Sequence, residues 1–339
     1  MQRSSSSNSY VISLAASVYR FLVAIICSVA AGAPLQYASA QTYPIKPVRV
    51  IVSLAPAGGL DTTSRIFAQK LGEHLNQQVV IENRPGAGGA VGGDLVAKAP
   101  ADGYTLLTSS IGYAVIASSH KNLSYDPVRD LTPVAVMVNV TNILVIHPSL
   151  PVKSVRELIA FAKAHPGALS YSSGGNGASA HLMLEAFKLA TGTDMLHVPY
   201  KGTGPGMVDL LAGRISLTTT GFASALDYIK LGKLRVLATP GTKRSALMPE
   251  LPTVAEAGVP GYAVDNWYAV FAPAATPRDV LALLNAEAIR IFHAPELKER
   301  LFSLGLEPAS EPLANTNAYI KSEIARWAKV VKAAKIVVE

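Results

Sequence analysis

Short apolar runs alternate with helical stretches along most of the chain. The runs are rich in Val, Ile and Leu and are too short for helices, which favours strands buried on both faces. Eight of them can be placed: Val48 to Leu54, Gln78 to Ile81, Thr105 to Thr108, Ile143 to Ile146, Leu169 to Ser172, Met195 to Val198, Ile215 to Thr219 and Arg235 to Ala238. This pattern predicts an α/β fold with mostly parallel sheets flanked by helices.

Three of the intervening segments carry helix-start signals. Ser154 with Glu157, and Thr253 with Glu256, have the spacing of a capping box. Thr276 followed by Pro277 has the pattern of a cap and a first-turn proline.

Two extended segments predict crossings between domains. The apolar string from Val134 to Ile146 is too long for one ordinary strand, and Tyr262 to Pro273 is a second such segment. If both are extended, the chain leaves the first domain, builds the second and returns. We therefore expect residues 41–141 plus 266–339 to form domain I and residues 142–265 to form domain II. A two-stranded hinge that closes over a ligand would join them.

The first forty residues have the pattern of a secretory signal peptide. Arg3 and Arg20 are their only charges, Phe21 to Ala31 is continuously apolar, and Ala38-Ser39-Ala40 is a small-residue cleavage motif. The apolar run is shorter than the roughly 20 residues of a spanning helix, which argues against an uncleaved anchor. We predict cleavage near Ala40 and Gln41 and export to the periplasm. The single Cys27 would leave with the leader, so thiolate metal sites and a cysteine nucleophile are not expected.

Composition narrows the class of partner. The 299 residues after position 40 suit two domains, and the net charge of +7 falls to +5 without Arg3 and Arg20. The basic residues are scattered, so no stripe for nucleic acid is visible. A mildly cationic protein suits an anionic ligand, although a solvated surface explains the charge equally well. We expect a monomer without a cofactor or metal.

Two glycine-rich turns stand between a strand and a helix. One is Ala55 to Asp61, and the other is Ser172 to Ser179. A helix N-terminus offers free N–H groups and the positive end of the helix dipole to an anion. Two such turns predict two halves that close on a small acid.

Enzyme motifs are weak or absent. Gly175-Asn176-Gly177-Ala178-Ser179-Ala180 matches the dinucleotide fingerprint, but the next predicted strand does not end in the acidic residue that holds the ribose. P-loop, zinc-protease and nucleophile-elbow motifs do not occur. Ser173 and His181 could be imagined as a nucleophile pair, but their spacing places them on different levels with no orienting acid. We therefore predict that the protein is not an enzyme.

Six strings along the chain resemble the Bug family, the periplasmic substrate-binding receptors of tripartite tricarboxylate transporters. They are Tyr43-Pro44-Ile45-Lys46-Pro47, Ala55-Pro56-Ala57-Gly58-Gly59-Leu60-Asp61, Glu82-Asn83-Arg84-Pro85-Gly86-Ala87-Gly88-Gly89, Ala101-Asp102-Gly103-Tyr104-Thr105-Leu106-Leu107, Val198-Pro199-Tyr200-Lys201-Gly202 and Leu251-Pro252-Thr253-Val254-Ala255-Glu256-Ala257-Gly258. The resemblance covers essentially the whole chain after the leader. It implies a two-domain, type II-like periplasmic binding fold that grips a small carboxylate, often through ordered water.

The resemblance also implies the ligand-binding residues. They fall in two glycine-rich turns, on a strand end, on a later strand and at the return crossing: Pro56, Ala57, Gly58, Gly59, Asp61, Thr62, Ser109, Ser110, Ser173, Gly177, Ala178, Ser179, Thr220, Phe222 and Trp267. The segments Thr218 to Phe222 and Asn266 to Tyr268 would complete the wall.

Three positions depart from the family pattern. Ala57 replaces a bulkier residue, Arg214-Ile215-Ser216 lacks a common aspartate, and Thr218-Thr219-Thr220-Gly221 stands where the family often has Asp-Asn. The last change removes an acid near the expected site, which disfavours an amino-group ligand.

Several of these residues have a structural alternative. Asp61 is a natural N-cap as well as a candidate ligand contact, and Arg65 can pair with it on the surface. His181 is expected to be packed or to act as a cap rather than to bind a ligand. Trp267 is either an aromatic wall or hinge packing.

The function implied is capture of a small organic acid for subunits of an inner-membrane transporter. The alternative is a sensor subunit that docks on a membrane histidine kinase. Dicarboxylates or tricarboxylates, hydroxy acids and aromatic acids all remain open as ligands.

Overall fold

A computed structural model describes residues 43–119, 123–334 and 336. The predicted signal peptide lies outside the described residues. Eleven strands are described: β1 (Val48–Val52), β2 (Val79–Asn83), β3 (Thr105–Ser110), β4 (Leu131–Val140), β5 (Asn142–Ile146), β6 (Ser170–Ser173), β7 (Leu196–Pro199), β8 (Leu217–Gly221), β9 (Arg235–Ala238), β10 (Asn266–Pro273) and β11 (Leu306–Pro308).

Eleven α-helices are described between these strands: α1 (Gly59–Leu75), α2 (Ala90–Ala97), α3 (Gly112–Ser119), α4 (Pro127–Asp130), α5 (Val155–Ala164), α6 (Ser179–Thr191), α7 (Thr203–Leu211), α8 (Phe222–Lys230), α9 (Arg278–Phe292), α10 (Lys298–Ser303) and α11 (Leu313–Ala334). Short 3-10 turns at Ala87–Gly89 and Pro295–Leu297 precede α2 and α10. The predicted strands match the structure to within two residues at each end, and the Arg235–Ala238 strand matches without any shift.

The first sheet has the strand order β11-β4-β10-β3-β1-β2. Strands β1, β2 and β3 are parallel, whereas β10 is antiparallel to both β3 and β4, and β11 is antiparallel to β4. Neighbouring residues on these strands belong to different apolar clusters: Leu106 lies in the cluster that contains Phe67 of α1, and Leu107 lies in the cluster that contains Trp327 of α11. Both faces are therefore covered, which explains the continuous apolar strands.

The second sheet has the order β7-β6-β8-β5-β9. Strands β6, β7 and β8 are parallel, and β5 is antiparallel to its neighbours β8 and β9. Both sheets are therefore mixed. Most strands in each run in one direction, as predicted, and the reversed strands include β5 and β10, which stand next to the crossings.

The two crossings lie side by side. Strand β4 ends at Val140 in the first sheet and β5 begins at Asn142 in the second, so Thr141 alone separates them. The returning strand β10 begins at Asn266, directly opposite Val140 of β4. The prediction that the Val134 to Ile146 string divides between two strands is confirmed.

The helix-start predictions had mixed outcomes. Ser154 caps α5 by accepting a hydrogen bond from the Glu157 N–H at 3.2 Å. Thr253 and Glu256 exchange both capping-box bonds, of 3.1 and 2.9 Å, but the segment that follows is a turn and not a helix. The prediction for Thr276 is wrong, because Pro277 itself occupies the N-cap of α9.

The long C-terminal helix α11 packs against α3 and β4 and also against α6, which flanks the second sheet. Its Glu323 accepts a 3.0 Å hydrogen bond from the Trp267 indole, and its Arg326 donates to the Ala263 carbonyl. The second crossing is thus fastened to this helix. None of the described helices is long and apolar enough to span a bilayer.

Candidate ligand-binding cleft

A cavity of about 340 Å³ lies between elements of the two sheets. Its wall combines residues from the first glycine-rich turn, the crossing strands, the second glycine-rich turn and the starts of α7 and α8: Ala57, Gly58, Gly59, Thr62, Val140, Asn142, Gly174, Ala178, Ser179, Ala180, Thr203, Thr219, Thr220, Gly221, Ala223, Ser224, Asn266, Tyr268, Leu304 and Leu306. Seven of the fifteen predicted site residues are among them: Ala57, Gly58, Gly59, Thr62, Ala178, Ser179 and Thr220.

The cleft is polar without being charged. Among the described residues that line it, none has an ionisable acid or base in the neutral range, and its polarity comes from hydroxyls, amides and backbone. Four described helices begin at its wall: α1 at Gly58 and Gly59, α6 at Ala178 and Ser179, α7 at Thr203, and α8 after Gly221. Each helix start contributes a partial positive charge. The arrangement favours an anion and offers no countercharge to a cation.

The first turn, residues 55–61, is fastened by a carboxylate. Asp61 lies inside α1 and reaches back to accept the Ala57 N–H at 3.0 Å, while Asn83 and Arg65 donate to the same carboxylate at 2.9 and 3.0 Å. Burial alone would raise the pKa of Asp61, but the hydrogen bonds from Arg65, Asn83 and the Ala57 N–H hold it below its ordinary value. Asp61 is therefore ionised at neutral pH.

This geometry corrects the expectations for Asp61. The N-cap of α1 is Gly58, so Asp61 caps the turn from within the helix, and it does not line the cleft. Arg65 forms the expected exposed pair with it. The N–H groups of Gly58 and Gly59 find no acceptor within the described residues and remain available to an anion.

Tyr268 closes over the first turn. A Cβ added to Gly59 would lie 2.5 Å from the Tyr268 hydroxyl, so only glycine permits this close approach. Burial raises the pKa of Tyr268 to about 12, which keeps the hydroxyl protonated. It forms no hydrogen bond with the described part of the chain and borders the cleft, so it is a free donor beside the Gly59 N–H.

The second turn, residues 173–180, uses much of its backbone internally. The Gly177 N–H donates to His181 Nδ1 at 3.1 Å, and the Ala178 N–H donates to the Gly175 carbonyl at 3.1 Å. These two N–H groups are therefore engaged within the turn, and of the two residues only Ala178 lines the cleft. The next two N–H groups, of Ser179 and Ala180, have no acceptor in the described ranges, and both residues line the cleft.

Two stacked imidazoles lie behind the second turn. The rings of His181 and His197 are 4.1 Å apart and nearly parallel, and the Tyr171 ring also stacks on His197, at 4.8 Å. Ser173 Oγ lies 2.7 Å from His197 Nε2, so the serine pairs with His197 and not with His181. Burial lowers the pKa of both histidines, and the neighbouring His181 helps to lower that of His197 to about 4. Both rings are neutral at pH 7, as the packed role predicted for His181 implies.

Six other predicted residues do not line the cleft. Ser109 is buried and accepts a hydrogen bond from the Ser53 hydroxyl. Ser110 lies at the end of β3, opposite Tyr268. Phe222 donates its N–H to Thr141 at the crossing. Trp267 is fully buried against α11, so it is hinge packing rather than wall. Pro56 is an exposed residue of the first turn, and Ser173, in the second turn, borders only a small cavity of about 10 Å³.

Asn266 and Tyr268, at the ends of a segment predicted to complete the wall, do line the cleft, and they share the strand face opposite the buried Trp267. Several other wall residues were outside the predicted set, and some had a usable signal. Thr203 and Ser224 each follow a strand and a glycine, as the predicted turns do. Asn142, Leu304 and Leu306 reach the cleft through the sheet topology alone.

Other sites are less suitable. Two cavities of about 60 and 190 Å³ share Asn139, Lys243 and Asp265 and contain none of the fifteen predicted site residues. Across the described ranges, no cluster of three or more His, Cys, Asp or Glu side chains could hold a metal ion.

The fold and cleft define a two-domain periplasmic binding protein, and comparison with known proteins agrees. A profile of the tripartite tricarboxylate transporter family receptor matches residues 63–336. Protein BugT of Bordetella pertussis is 39% identical over 296 residues, which cover 87% of this chain and 91% of BugT. The chain belongs to the tripartite tricarboxylate transporter receptor family, and the resemblance to the Bug family is confirmed.

Solved structures of related proteins show the same architecture. A protein of R. palustris with adipate has a TM-score of 0.78 and 37% identity, covering 87% of this chain and 99% of the other. MatC from Rhodopseudomonas palustris, with bound malate, has a TM-score of 0.74 and 29% identity, covering 85% and 100%. Both likenesses extend over nearly the full length of the related chain.

Proposed function

We propose that the protein is a periplasmic receptor that captures a small organic carboxylate in the cleft and delivers it to an inner-membrane tripartite tricarboxylate transporter. The observation that carries the proposal is the uncharged wall at which four helices begin. Helix N-termini and hydroxyls hold an anion without the desolvation cost of a buried countercharge. A receptor must also release its ligand, and binding through N–H groups and hydroxyls, without an ion pair, permits release.

The related structures support this class of ligand. Adipate and malate, which accompany two of the related proteins, are both small dicarboxylates. A molecule with an acid at each end could reach the N–H groups of Gly58 and Gly59 from one end and those of Ser179 and Ala180 from the other. The Tyr268 and Thr220 hydroxyls would add neutral donors. Ordered water would fill the remaining volume.

A ligand screen tests the proposal directly. The mature protein is heated with adipate, malate, aromatic acids, amines and neutral sugars at fixed salt, and the unfolding temperature is measured. A ligand at 100 times its dissociation constant adds roughly 2.7 kcal/mol of stability. We expect stabilisation by acids only, and stabilisation by a sugar or amine alone would overturn the proposal. Native mass spectrometry of the purified protein identifies any acid that co-purifies. Recovery of that acid chemically unchanged after incubation with the protein argues for a receptor rather than an enzyme.

Ligand capture is proposed to close the protein. Residues 41–141 plus 266–339 would rotate as one rigid body against residues 142–265, about the adjacent crossings at Thr141 and Asn266. The wall contains residues from both bodies, so a bound acid draws them together. Small-angle scattering with and without the acid found above should show a smaller radius of gyration for a monomer. Equal radii would argue against closure.

Delivery and export need separate tests. N-terminal sequencing of protein from the periplasm should begin at Gln41. Co-purification of the acid-loaded receptor with the membrane subunits of a tripartite tricarboxylate transporter tests delivery, and binding to a histidine-kinase ectodomain instead would favour a sensor role.

A further inference from the structure

We propose that His181 is a positioning residue for the second turn: its neutral ring fastens the Gly177 N–H so that the Ser179 and Ala180 N–H groups face the cleft, and its protonation in acid releases the turn and weakens anion binding. The affinity part of this inference rests on the proposed function. The structural part concerns the turn alone and can be tested without a ligand.

The hydrogen bond to Gly177 defines the state of the ring. An imidazole nitrogen accepts a hydrogen bond only when it carries no proton, so His181 Nδ1 is bare and the neutral ring carries its proton on Nε2. A protonated ring would present an N–H to the Gly177 N–H, and the bond would be lost. Gly177 has a φ of 78°, a conformation that the bond helps to hold.

Besides this bond, the turn is held by the Ala178 N–H, which donates to the Gly175 carbonyl, and by hydrogen bonds between Ser173 and Gly175. The N-cap of α6 is Ala178, whose side chain cannot cap the helix. The ring of His181, in the first turn of the helix, takes the place of a side-chain cap because it accepts the Gly177 N–H just before Ala178. Loss of this bond therefore changes the direction in which the first free N–H groups of α6 point.

The second imidazole makes the arrangement sensitive to charge. His197 holds the start of the turn through Ser173 Oγ, and its ring stacks on His181 at 4.1 Å. Two positive rings at this distance repel, so protonation of one disfavours protonation of the other. Both ends of the turn are thus held by neutral rings in contact.

Two ionic groups on α6 face this pair. Glu185 favours protonation of both rings, and Lys188 opposes it. Glu185 also accepts hydrogen bonds from the Tyr171 hydroxyl of β6 at 2.5 Å and from Lys188 at 2.8 Å. These partners already stabilise its negative charge. Burial is the largest influence on either ring and lowers both pKa values, so release of the turn begins below pH 6.5 rather than above it.

Nuclear magnetic resonance of the full mature protein tests the turn without ligand. The imidazole nitrogens of His181 and the amide of Gly177 are followed from pH 7.5 to pH 4.5. We expect the neutral ring to carry its proton on Nε2. The Gly177 amide should shift and lose protection from exchange with the same midpoint as the His181 ring. A proton on Nδ1, or a Gly177 amide that stays protected while the ring titrates, would overturn the proposal.

Three variants then separate position from charge, with adipate or malate as the probe according to the screen. His181→Asn keeps an acceptor but cannot be protonated, so affinity should stay near wild type at pH 7 and lose its histidine-linked fall in acid. His181→Leu removes the acceptor and should bind weakly at every pH. His165→Asn changes an exposed histidine outside the cleft and should keep the wild-type profile.

The ratio of wild-type to His181→Asn affinity cancels the ionisation of the acid itself. One linked proton should lower this ratio by up to about tenfold for each pH unit below the midpoint. A constant ratio from pH 7.5 to pH 4.5 would show that His181 is only packing. If neither acid binds, the magnetic resonance result still decides the proposal, so its failure is distinct from failure of the proposed function.

Discussion

The two glycine-rich turns perform the same task with opposite chemistry. The first is fastened by the ionised Asp61, which binds the Ala57 N–H, Asn83 and Arg65. The second is fastened by the neutral rings of His181 and His197. Within the described residues, both leave N–H groups free at the start of a helix, including those of Gly58 and Gly59 in the first turn and of Ser179 and Ala180 in the second. The comparison teaches that the internal fastening of a turn, and not its glycine content, decides which donors remain for a ligand.

The fastening of the first turn should be the most costly to remove. Asp61→Ala deletes three hydrogen bonds to a buried charge, which leaves the Ala57 N–H without its acceptor and the Asn83 amide with only the Leu54 carbonyl. We expect the free energy of unfolding, measured with urea, to fall by about 2 to 3 kcal/mol. The matched variant Arg65→Ala removes only the exposed partner and should cost about 0.5 kcal/mol. Equal losses in the two variants would contradict the central role of Asp61.

Proline at position 179 removes a free N–H donor of the second turn, whereas alanine there removes only the side-chain hydroxyl. Ser179→Pro deletes the N–H at the first residue of α6, where proline is tolerated, and Ala178 before it is already extended. Affinity for the acid found in the screen should fall by about 1.5 to 3 kcal/mol, as for a charge-assisted hydrogen bond. Ser179→Ala should cost less. Normal binding by a folded Ser179→Pro protein, checked by circular dichroism, would place the anion elsewhere.

Close packing distinguishes the first turn further. Gly59→Ala would push a methyl group against the Tyr268 hydroxyl, so we expect a loss of about 1 to 2 kcal/mol in stability. Tyr268→Phe removes the oxygen that would lie 2.5 Å away and should partly relieve the alanine variant. A double-mutant cycle measures the coupling, expected at about 1 kcal/mol. Additive losses would mean that the contact is relieved in another way.

Acid should separate the two turns. The lowered pKa of Asp61 preserves its contribution until the pH falls below about 3.8. The pKa values of His181 and His197 are lowered in the folded state, so the unfolded chain takes up protons first as the pH falls below 6.5. The folded state therefore loses stability below pH 6.5. The loss ends once the folded rings are themselves protonated, which for His197 occurs at about pH 4.

We expect about 1 kcal/mol to be lost between pH 6.5 and 5.5, after allowance for solvent screening. Urea titrations at each pH measure the loss. The double variant His181→Asn with His197→Gln should reduce it. A loss confined to pH below 4 would assign it to carboxylates instead.

The smallest expected effect concerns backbone strain. Ala57 has a φ of 64°, a left-handed conformation that glycine adopts without penalty. Ala57→Gly should raise the free energy of unfolding by about 0.5 kcal/mol, since relief of strain outweighs the added freedom of the unfolded chain. The matched variant Ala178→Gly, at an ordinary φ of −67°, should lower it. A loss in both variants would show that Ala57 is not strained.

The sequence predicted the elements and the positions of the turns well, because these depend on local patterns. Apolar runs marked the strands to within two residues, and glycines marked both turns. The donors within the turns were predicted less well. The Gly177 N–H is consumed by a histidine four residues later, and only the folded turn brings the ring back to it. Asn142 and Leu306 reach the cleft because distant strands meet there, which no local pattern reveals.

The junction at Thr141 has a mechanical consequence. Val140, Asn142, Asn266 and Tyr268 line the cleft, and the first three flank the two crossings directly. In a lever, points near the fulcrum travel least. Contacts to these strands would therefore exist before the proposed rotation, whereas the starts of α7 and α8 would arrive during it. An acid would first be selected by contacts with the strands near the fulcrum and then be held by the helices. Substitutions near Thr141 would therefore change both which acid is selected and how the two bodies rotate.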